Sequence, residues 1–146
     1  MNMDICGCAL CNEILTGELV LKRFLNFSVV FNRYPYIPGH IMVISNSHVS
    51  SNLNNFTPRL RSELMEISLW AQNLLLQTTG YDSANIGMNL GSNSGGSIPE
   101  HFHIHIVPRK INDTNFMAVI TNGSTYPKYQ QIEFNQRIRN SFAWTN

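Results

Sequence analysis

The feature that most constrains the fold of this chain is the alternation of histidine with large apolar residues at positions 101–107. Successive side chains of a β-strand point to opposite faces, so the pattern predicts a strand with His101, His103 and His105 on one face. The apolar residues between them would face the core. Three charged rings would repel one another, so we expect neutral imidazoles, which can act as nucleophiles, general bases or metal ligands. A merely histidine-rich polar face is the alternative, but three of the five histidines lie in this run.

A glycine-rich segment, residues 89–97, precedes the histidine run. Glycine lets backbone N–H groups approach an anion closely, and serine and asparagine side chains add further donors. The Gly-Lys-Ser/Thr ending of a Walker loop is missing, and a plain hairpin connection is the alternative. Because the segment runs directly into the histidine strand, it indicates a phosphate cradle with a histidine held against the phosphorus.

At this point the sequence resembles the histidine triad family, whose signature is His-x-His-x-His followed by two apolar residues. The stretch from Gly87 to Met117 is similar to the diadenosine polyphosphate branch of that family. The matching parts are Ile-Pro-Glu at 98–100, Pro-Arg at 108–109, Asp-Thr-Asn-Phe at 113–116 and the upstream segment 32–40. The resemblance covers roughly residues 8–120 and leaves the tail unexplained.

The resemblance implies a role for each histidine. His103 matches the family's nucleophile, which attacks the α-phosphorus of a nucleotide and forms a covalent nucleotidyl-histidine. His105 would hydrogen-bond the phosphate or the leaving group. His101 would orient the site, bind zinc, or do both with its two nitrogens. His40 matches a fourth histidine near the phosphate, and a solvated loop histidine is the alternative.

The resemblance also implies how a nucleotide is held. Asn32 matches a residue that contacts the ribose hydroxyls, and a side-chain amide can both donate to and accept from a diol. Val30 would pack against the base, with a plain core position as the alternative. Arg109 would face polyphosphate or simply be solvated at its strand end. The residues expected in the phosphate loop are Asn89, Gly95, Gly96 and Ser97.

All three cysteines lie within the first dozen residues, at positions 6, 8 and 11. An odd number without a visible secretion signal disfavours a disulfide framework. Cys8-x-x-Cys11 has the spacing of half a zinc site, and two ordinary thiols are the alternative. Many histidine triad proteins complete a Cys-Cys-His-His zinc site with a histidine after the second core strand and the first triad histidine. The resemblance therefore implies structural zinc on Cys8, Cys11, His48 and His101, with Cys6 as a spare thiol.

The composition limits the possible partners. A chain of 146 residues is the size of one domain, and 43% hydrophobic residues supply a core. A net charge of +1 with only 13% charged residues disfavours nucleic-acid binding, which normally needs a basic surface. No apolar run approaches the ~20 residues of a membrane span, and no signal peptide is visible. We therefore expect a cytoplasmic protein with no nucleic-acid or membrane partner.

The apolar pattern predicts a single α+β domain over residues 1–146, with its core at 8–120 and an uncertain tail at 121–146. A long helix would begin after the N-cap Thr57, with Pro58 at its first position, and end at Gly80. We expect an antiparallel sheet of about five strands with this helix packed on it. The predicted strands are 18–22, 27–31, 40–44, 84–89 and 102–109, and a short tail helix is predicted around 132–142.

These features favour a nucleotide hydrolase that cleaves dinucleoside polyphosphates, such as diadenosine tetraphosphate, between the α- and β-phosphates. Magnesium would arrive with the polyphosphate, and the family implies a homodimer built on the long helix and an edge strand. The enzymatic alternatives are a phosphorylase, which uses phosphate instead of water, and a nucleoside phosphoramidase. The non-enzymatic ones are a nucleotide-binding sensor and a zinc-binding module. Lys110 stands where phosphorylase-like members often have tryptophan, which favours hydrolysis.

Overall fold

A computed structural model describes residues 7–113 and 132–143 of the chain. Its strands are β1 (Val20–Arg23), β2 (Phe27–Phe31), β3 (Ile41–Ser45), β4 (Ser83–Gly87) and β5 (His103–Arg109). Its helices are α1 (Ala9–Thr16), α2 (Pro58–Thr79) and α3 (Ile132–Ala143), with a short 3-10 turn at Leu53–Asn55.

The five strands form one sheet in the order β1-β2-β3-β5-β4, and every neighbouring pair is antiparallel. β5 lies inside the sheet, between β3 and β4. In its register with β3, His105 is opposite Met42 and His103 is opposite Ile44. Directly opposed residues share a face of the sheet, so these two histidines lie beside apolar side chains of β3.

One face of the sheet carries the main core, as alternation of apolar residues requires. Strand residues such as Val43, Ile104 and Ile106 are buried there against the apolar stripe of α2. α3 adds Ile138 and Phe142 to the same cluster. The predicted α+β fold, a five-stranded antiparallel sheet with one long helix packed on it, is confirmed. The α2 residues buried in this core are Leu64, Ile67, Ala71 and Leu75.

The ends of α2 follow from local chemistry. The Thr57 hydroxyl accepts a hydrogen bond from Leu60 N at 3.2 Å, and Pro58 occupies the first turn, where its missing N–H costs nothing. Gly80 adopts φ 78° and donates its N–H to the Leu76 carbonyl, which ends the helix. Within the described ranges, no helix is long and apolar enough to cross a bilayer.

The opposite face of the sheet is partly covered by α1, which the sequence pattern did not reveal. This helix has eight residues and ends at Gly17 with φ 68°. Isolated helices this short are marginal in water, so α1 depends on its packing. Its N-terminal part joins a second buried cluster made by Cys8, Leu10, Val30, Met42 and Ile44.

Two boundaries depart from the prediction in ways that matter for the site. β5 begins at His103, so His101 lies in the bend before the strand, where its ring nitrogens face the two cysteines and the Ser45 carbonyl oxygen. β4 ends at Gly87, so Asn89 belongs to the loop. The tail helix predicted around 132–142 is confirmed as α3, whereas residues 114–131 and Cys6 lie outside the described residues.

Candidate active site and metal centre

His103 and His105 line a pocket of about 300 Å³ on the α1 side of the sheet. His103 Nδ1 donates a hydrogen bond to the carbonyl oxygen of His101 at 2.9 Å. A neutral imidazole carries one ring proton, so His103 Nε2 is left with a free lone pair. Burial lowers the pKa of His103 below the usual 6.5, although the bond to His101 and nearby Glu100 oppose this. The ring is therefore neutral near pH 7, in the tautomer that a nucleophile requires.

A chain of hydrogen bonds fixes the tautomer of His105 as well. Tyr36 N donates to His40 Nδ1 at 3.1 Å, so the single proton of neutral His40 is on Nε2. That Nε2 donates to His105 Nδ1 at 2.9 Å, which leaves the proton of His105 on its own Nε2. Asn32 Nδ2 is 3.3 Å from His40 Nε2, but both atoms are donors here, so we treat this as packing. His105 thus offers an N–H donor, complementary to the lone pair of His103.

His40 is almost completely buried, at 1% exposure, and does not line the pocket. This burial excludes a solvated loop histidine, the alternative interpretation of the sequence, and His40 reaches the pocket through His105. Burial, followed by the charges of His105 and His103, lowers its pKa well below 6.5. The Tyr36 ring stacks on it with ring centroids 4.7 Å apart. His40 therefore holds His105 in place from beneath the pocket floor.

Acid is expected to destabilise the fold between pH 6.5 and about 4. Burial and the charge of His103 lower the pKa of His105 to about 4, whereas an unfolded histidine titrates near 6.5. Below pH 6.5 the unfolded chain therefore binds a proton that the folded chain does not. His105 alone then lowers the free energy of unfolding by about 3 kcal/mol at pH 4.

Urea unfolding of the wild type and of His105→Asn across this pH range measures the effect. The difference between their unfolding free energies reports the titration of His105 together with its coupling to His40, because the groups remote from His105 titrate alike in both proteins. We expect that difference to change by most of the 3 kcal/mol stated above. A difference that stays constant with pH would contradict a neutral, buried His105.

Asn32 lines the same pocket, and its orientation is fixed by the backbone. Its Oδ1 accepts a hydrogen bond from Tyr34 N at 2.8 Å, which assigns the amide oxygen and nitrogen. Among the described residues, the one acceptor near its Nδ2 in this arrangement is the weakly accepting sulfur of Met42 at 3.5 Å. The amide therefore keeps donor capacity for a ligand hydroxyl.

The predicted phosphate loop forms part of the pocket wall, beside the two histidines. Gly95 has φ +93°, a conformation that other residues rarely adopt. A Cβ added to Gly96 would lie 3.0 Å from Asn89 Cβ, which is tighter than ordinary van der Waals contact, so glycine favours the close approach of these two loop segments. All four residues expected in this loop line the pocket: Asn89, Gly95, Gly96 and Ser97.

Val30 and Arg109 do not reach the pocket. Val30 is completely buried in the cluster beneath α1, the plain core position that was its alternative interpretation. Because α1 was not predicted, its covering of Val30 could not be anticipated. Arg109 donates to Asn85 Oδ1 at 2.7 Å and pairs with Asp113 at 3.4 Å. The apolar part of the lining comes instead from Ala9, Leu10, Phe31, Met42 and Ile98.

The structure brings Cys8, Cys11, His48 and His101 together, with one ligand atom from each inside 4.8 Å. Cys11 Sγ lies 3.2 Å from His48 Nδ1 and 3.4 Å from His101 Nδ1, and Cys8 Sγ lies 3.5 Å from His101 Nδ1. Tetrahedral zinc with typical Zn–S and Zn–N bonds separates sulfur from nitrogen by about 3.5 Å. These two thiols and two imidazoles therefore fit zinc.

His101 connects this cluster to the pocket. Its Nε2 donates to the Ser45 carbonyl oxygen at 2.7 Å, which leaves Nδ1 unprotonated and aimed at the cysteines. Both ring nitrogens are thus engaged outside the pocket, and His101 does not line it. Its link to the pocket is its backbone carbonyl, which accepts the hydrogen bond from His103 Nδ1.

Sequence reasoning missed two parts of the site. Tyr36 belongs to the segment that matched the family, but sequence does not reveal which way a loop side chain points.

The second part is a bidentate ion pair between Arg33 and Glu13 in the pocket wall. Arg33 Nε lies 2.6 Å from Glu13 Oε1, and Arg33 Nη2 lies 3.0 Å from Glu13 Oε2. The hydrogen bond to Glu13 is the largest of the contacts that raise the pKa of Arg33. Without α1, nothing in the sequence indicated this pairing.

The chain is thus an antiparallel sheet in which two histidines of one strand face a pocket beside a glycine-rich loop. The family model for the HIT domain matches residues 18–112, and the chain belongs to this histidine triad family. Over 110 residues it is 37% identical to the AP-4-A phosphorylase of Mycobacterium tuberculosis, covering 75% of this chain and 56% of that protein. It is 31% identical over 97 residues to the asymmetrical bis(5'-nucleosyl)-tetraphosphatase of Schizosaccharomyces pombe, covering 66% and 52%.

The chain thus spans about half the length of the curated relatives it matches. Solved structures agree on the fold. A Zn-bound histidine triad family protein from Mycobacterium smegmatis superposes with a TM-score of 0.74 at 20% identity, covering 93% of each chain. A hypothetical histidine triad nucleotide-binding protein from Sulfolobus tokodaii gives a TM-score of 0.73 at 22% identity, covering 93% of this chain and 92% of that chain.

Proposed function

We propose that this protein cleaves dinucleoside polyphosphates, such as diadenosine tetraphosphate, through a covalent nucleotidyl-histidine on His103. The observation that carries the proposal is the hydrogen bond from His103 Nδ1 to the His101 carbonyl, which leaves Nε2 as a nucleophile in the pocket. The names of the relatives, a phosphorylase and a tetraphosphatase of such nucleotides, support the substrate class.

In the first step His103 Nε2 attacks the α-phosphorus, and the bond from that phosphorus to the oxygen bridging the β-phosphate breaks. ATP leaves from diadenosine tetraphosphate, and AMP stays on the ring. The backbone N–H groups near Gly95 and Gly96 would stabilise the negative charge that grows on the phosphate oxygens. His105 would donate its Nε2–H to a phosphate oxygen or to the leaving group. In the second step water attacks the phosphorus, releases AMP and restores His103.

The metal centre would take no part in these steps. Zinc on Cys8, Cys11, His48 and His101 would supply structural stability by tying α1 to the segment that precedes β5. Magnesium enters with the polyphosphate, as a part of the substrate.

Phosphate in place of water is the second candidate acceptor, and the 37% identity to an AP-4-A phosphorylase favours it. The two acceptors give different products from diadenosine tetraphosphate, because water yields AMP and phosphate yields ADP, each together with ATP. Chromatography of reactions with and without phosphate, over a panel of dinucleoside polyphosphates and AMP-lysine, identifies the acceptor and the leaving group. ADP that forms only when phosphate is added would establish a phosphorylase. The absence of any nucleotide product would contradict the proposed function.

Asn32→Ala is expected to slow cleavage about three- to tenfold, because it removes one hydrogen bond to the ribose. A 2′,3′-dideoxy substrate should cause a similar loss with the wild type. The mutant should then barely distinguish the two substrates, since the partner group is already gone. Steady-state rates of both proteins on both substrates measure this. If the mutant instead lost a further three- to tenfold in rate on the dideoxy substrate, the two changes would act independently, and Asn32 would not contact the ribose.

We also propose a homodimer through α2 and an edge of the sheet. Met65 and Leu69 are one helical turn apart on α2 and are 49% and 42% exposed, so they form an apolar strip on its outer side. β4 is an edge strand of the described sheet. Analytical ultracentrifugation should give about twice the 16.6 kDa of the chain. A species of 16.6 kDa at micromolar concentration would contradict this.

A further inference from the structure

One wall of the pocket carries an ion pair that neither the metal centre nor the phosphate loop explains. Glu13, on α1, is 7% exposed, and Arg33, just beyond the end of β2, is partly buried. Two hydrogen bonds of 2.6 and 3.0 Å join the guanidinium to the carboxylate. The Arg33 side chain keeps 31% of its exposure and the Glu13 side chain 9%, so the pair both joins α1 to the end of β2 and stays within reach of a ligand in the pocket.

The pair and the histidines line the pocket from different elements, since Glu13 is on α1, Arg33 follows β2, and His103 and His105 are on β5. β3 separates β2 from β5, so the end of β2 and the histidine strand are about 10 Å apart, two strand spacings. Asn32, the proposed ribose contact, directly precedes Arg33. A nucleotide with its phosphate at His103 and its ribose at Asn32 would extend its base towards α1. There Ala9 and Leu10 provide apolar surface, and Glu13 provides the carboxylate.

We propose that Glu13 recognises the exocyclic amino group of adenine, an inference that rests on the proposed function. Each carboxylate oxygen has about two acceptor sites, and Arg33 occupies one on each. The remaining sites accept the N6–H of adenine. Guanine carries a carbonyl oxygen at that ring position and would present an acceptor to the carboxylate. Arg33 is a positioning residue, which fixes the carboxylate and balances its charge.

The test compares the binding of AMP with that of purine riboside 5′-monophosphate, which has hydrogen in place of the amino group. Isothermal titration calorimetry needs no turnover, so the result is independent of the acceptor in the reaction. The wild type should bind AMP about tenfold more tightly, as expected for one hydrogen bond to a charged acceptor. In Glu13→Met the two affinities should become about equal.

Two further variants separate recognition from structure. Glu18→Met is the matched control, because Glu18 also pairs with Arg33, at 3.5 Å, but does not line this pocket. It should keep the preference for AMP. The double variant Glu13→Met/Arg33→Met replaces both charges by apolar groups, which avoids an unpaired Arg33, and should lose the preference while staying folded.

The outcomes distinguish the two proposals. If the wild type binds both nucleotides equally, or if the preference survives in Glu13→Met or in the double variant, recognition by Glu13 is overturned and the proposed function stands. If the wild type binds neither nucleotide, the pocket is not a nucleotide site, and both adenine recognition by Glu13 and the proposed function are contradicted. A preference that is lost in both Glu13 variants and kept in Glu18→Met supports the inference.

Discussion

His103→Asn is expected to lower turnover by roughly three orders of magnitude or more, while nucleotide binding stays close to that of the wild type. Asparagine can keep a donor for the His101 carbonyl but has no lone pair at the position of Nε2. The covalent intermediate should disappear with the activity. Incubation with α-labelled diadenosine tetraphosphate, followed by a denaturing alkaline quench, preserves the acid-labile phosphorus–nitrogen bond. Labelled protein should be seen for the wild type and not for His103→Asn.

His105→Asn is the matched control for this experiment. It removes a hydrogen-bond donor to the phosphate but leaves the nucleophile, so it should slow the reaction and still give labelled protein. A His103→Asn protein with a tenth of the normal activity would contradict the covalent mechanism. If that substitution instead lowered the metal content, the histidine run would be acting as a set of metal ligands.

Cys8→Ser is expected to have the second largest effect. The wild type should carry about one zinc per chain in S₂N₂ coordination, and the variant should lose most of it. The melting temperature should fall by about 10 °C or more, because structural metal binding contributes to folding free energy. Turnover should fall with it, since the bend at His101 supplies the carbonyl that orients His103. Metal analysis, X-ray absorption, thermal unfolding and rate measurements on the same samples test this.

Cys6→Ser is the control, because the sequence left this cysteine without a proposed ligand role. It should keep the zinc, the melting temperature and the activity of the wild type. Well-folded wild-type protein, prepared without chelators and free of zinc, would remove the metal proposal and leave the catalytic one standing.

The sequence predicted those parts of the fold that depend on local chemistry. α2 could be bounded because Thr57, Pro58 and Gly80 each act within one turn of the helix. The sheet could be predicted because its strands alternate or are continuously apolar. α1 could not, since eight residues hold too little periodicity and its stability comes from distant contacts. Val30 was expected to contact the base, but it is buried beneath α1, and this covering could not be foreseen without that helix.

The site was predictable in its residue types and less so in its geometry. The histidine run and the glycine loop are adjacent in sequence, so their meeting at one pocket could be inferred. The metal cluster joins residues up to 93 positions apart. The spacing of Cys8 and Cys11 indicated half of it, and only the resemblance to a family suggested His48 and His101. The chain from Tyr36 through His40 to His105 could not be foreseen, because it depends on which nitrogen faces which partner across two elements.

His101 meets two separate requirements with two different groups. Its backbone carbonyl orients His103, and its imidazole faces the metal cluster. The proposed nucleophile, His103, is held by the main-chain oxygen of this residue, and every amino acid has that atom. The His101 imidazole is directed at the cysteines and at Ser45. The proposed reaction therefore places no demand on the identity of this side chain beyond keeping the bend in place. In a relative without the two cysteines, the first position of the motif would be free to change while the second would not.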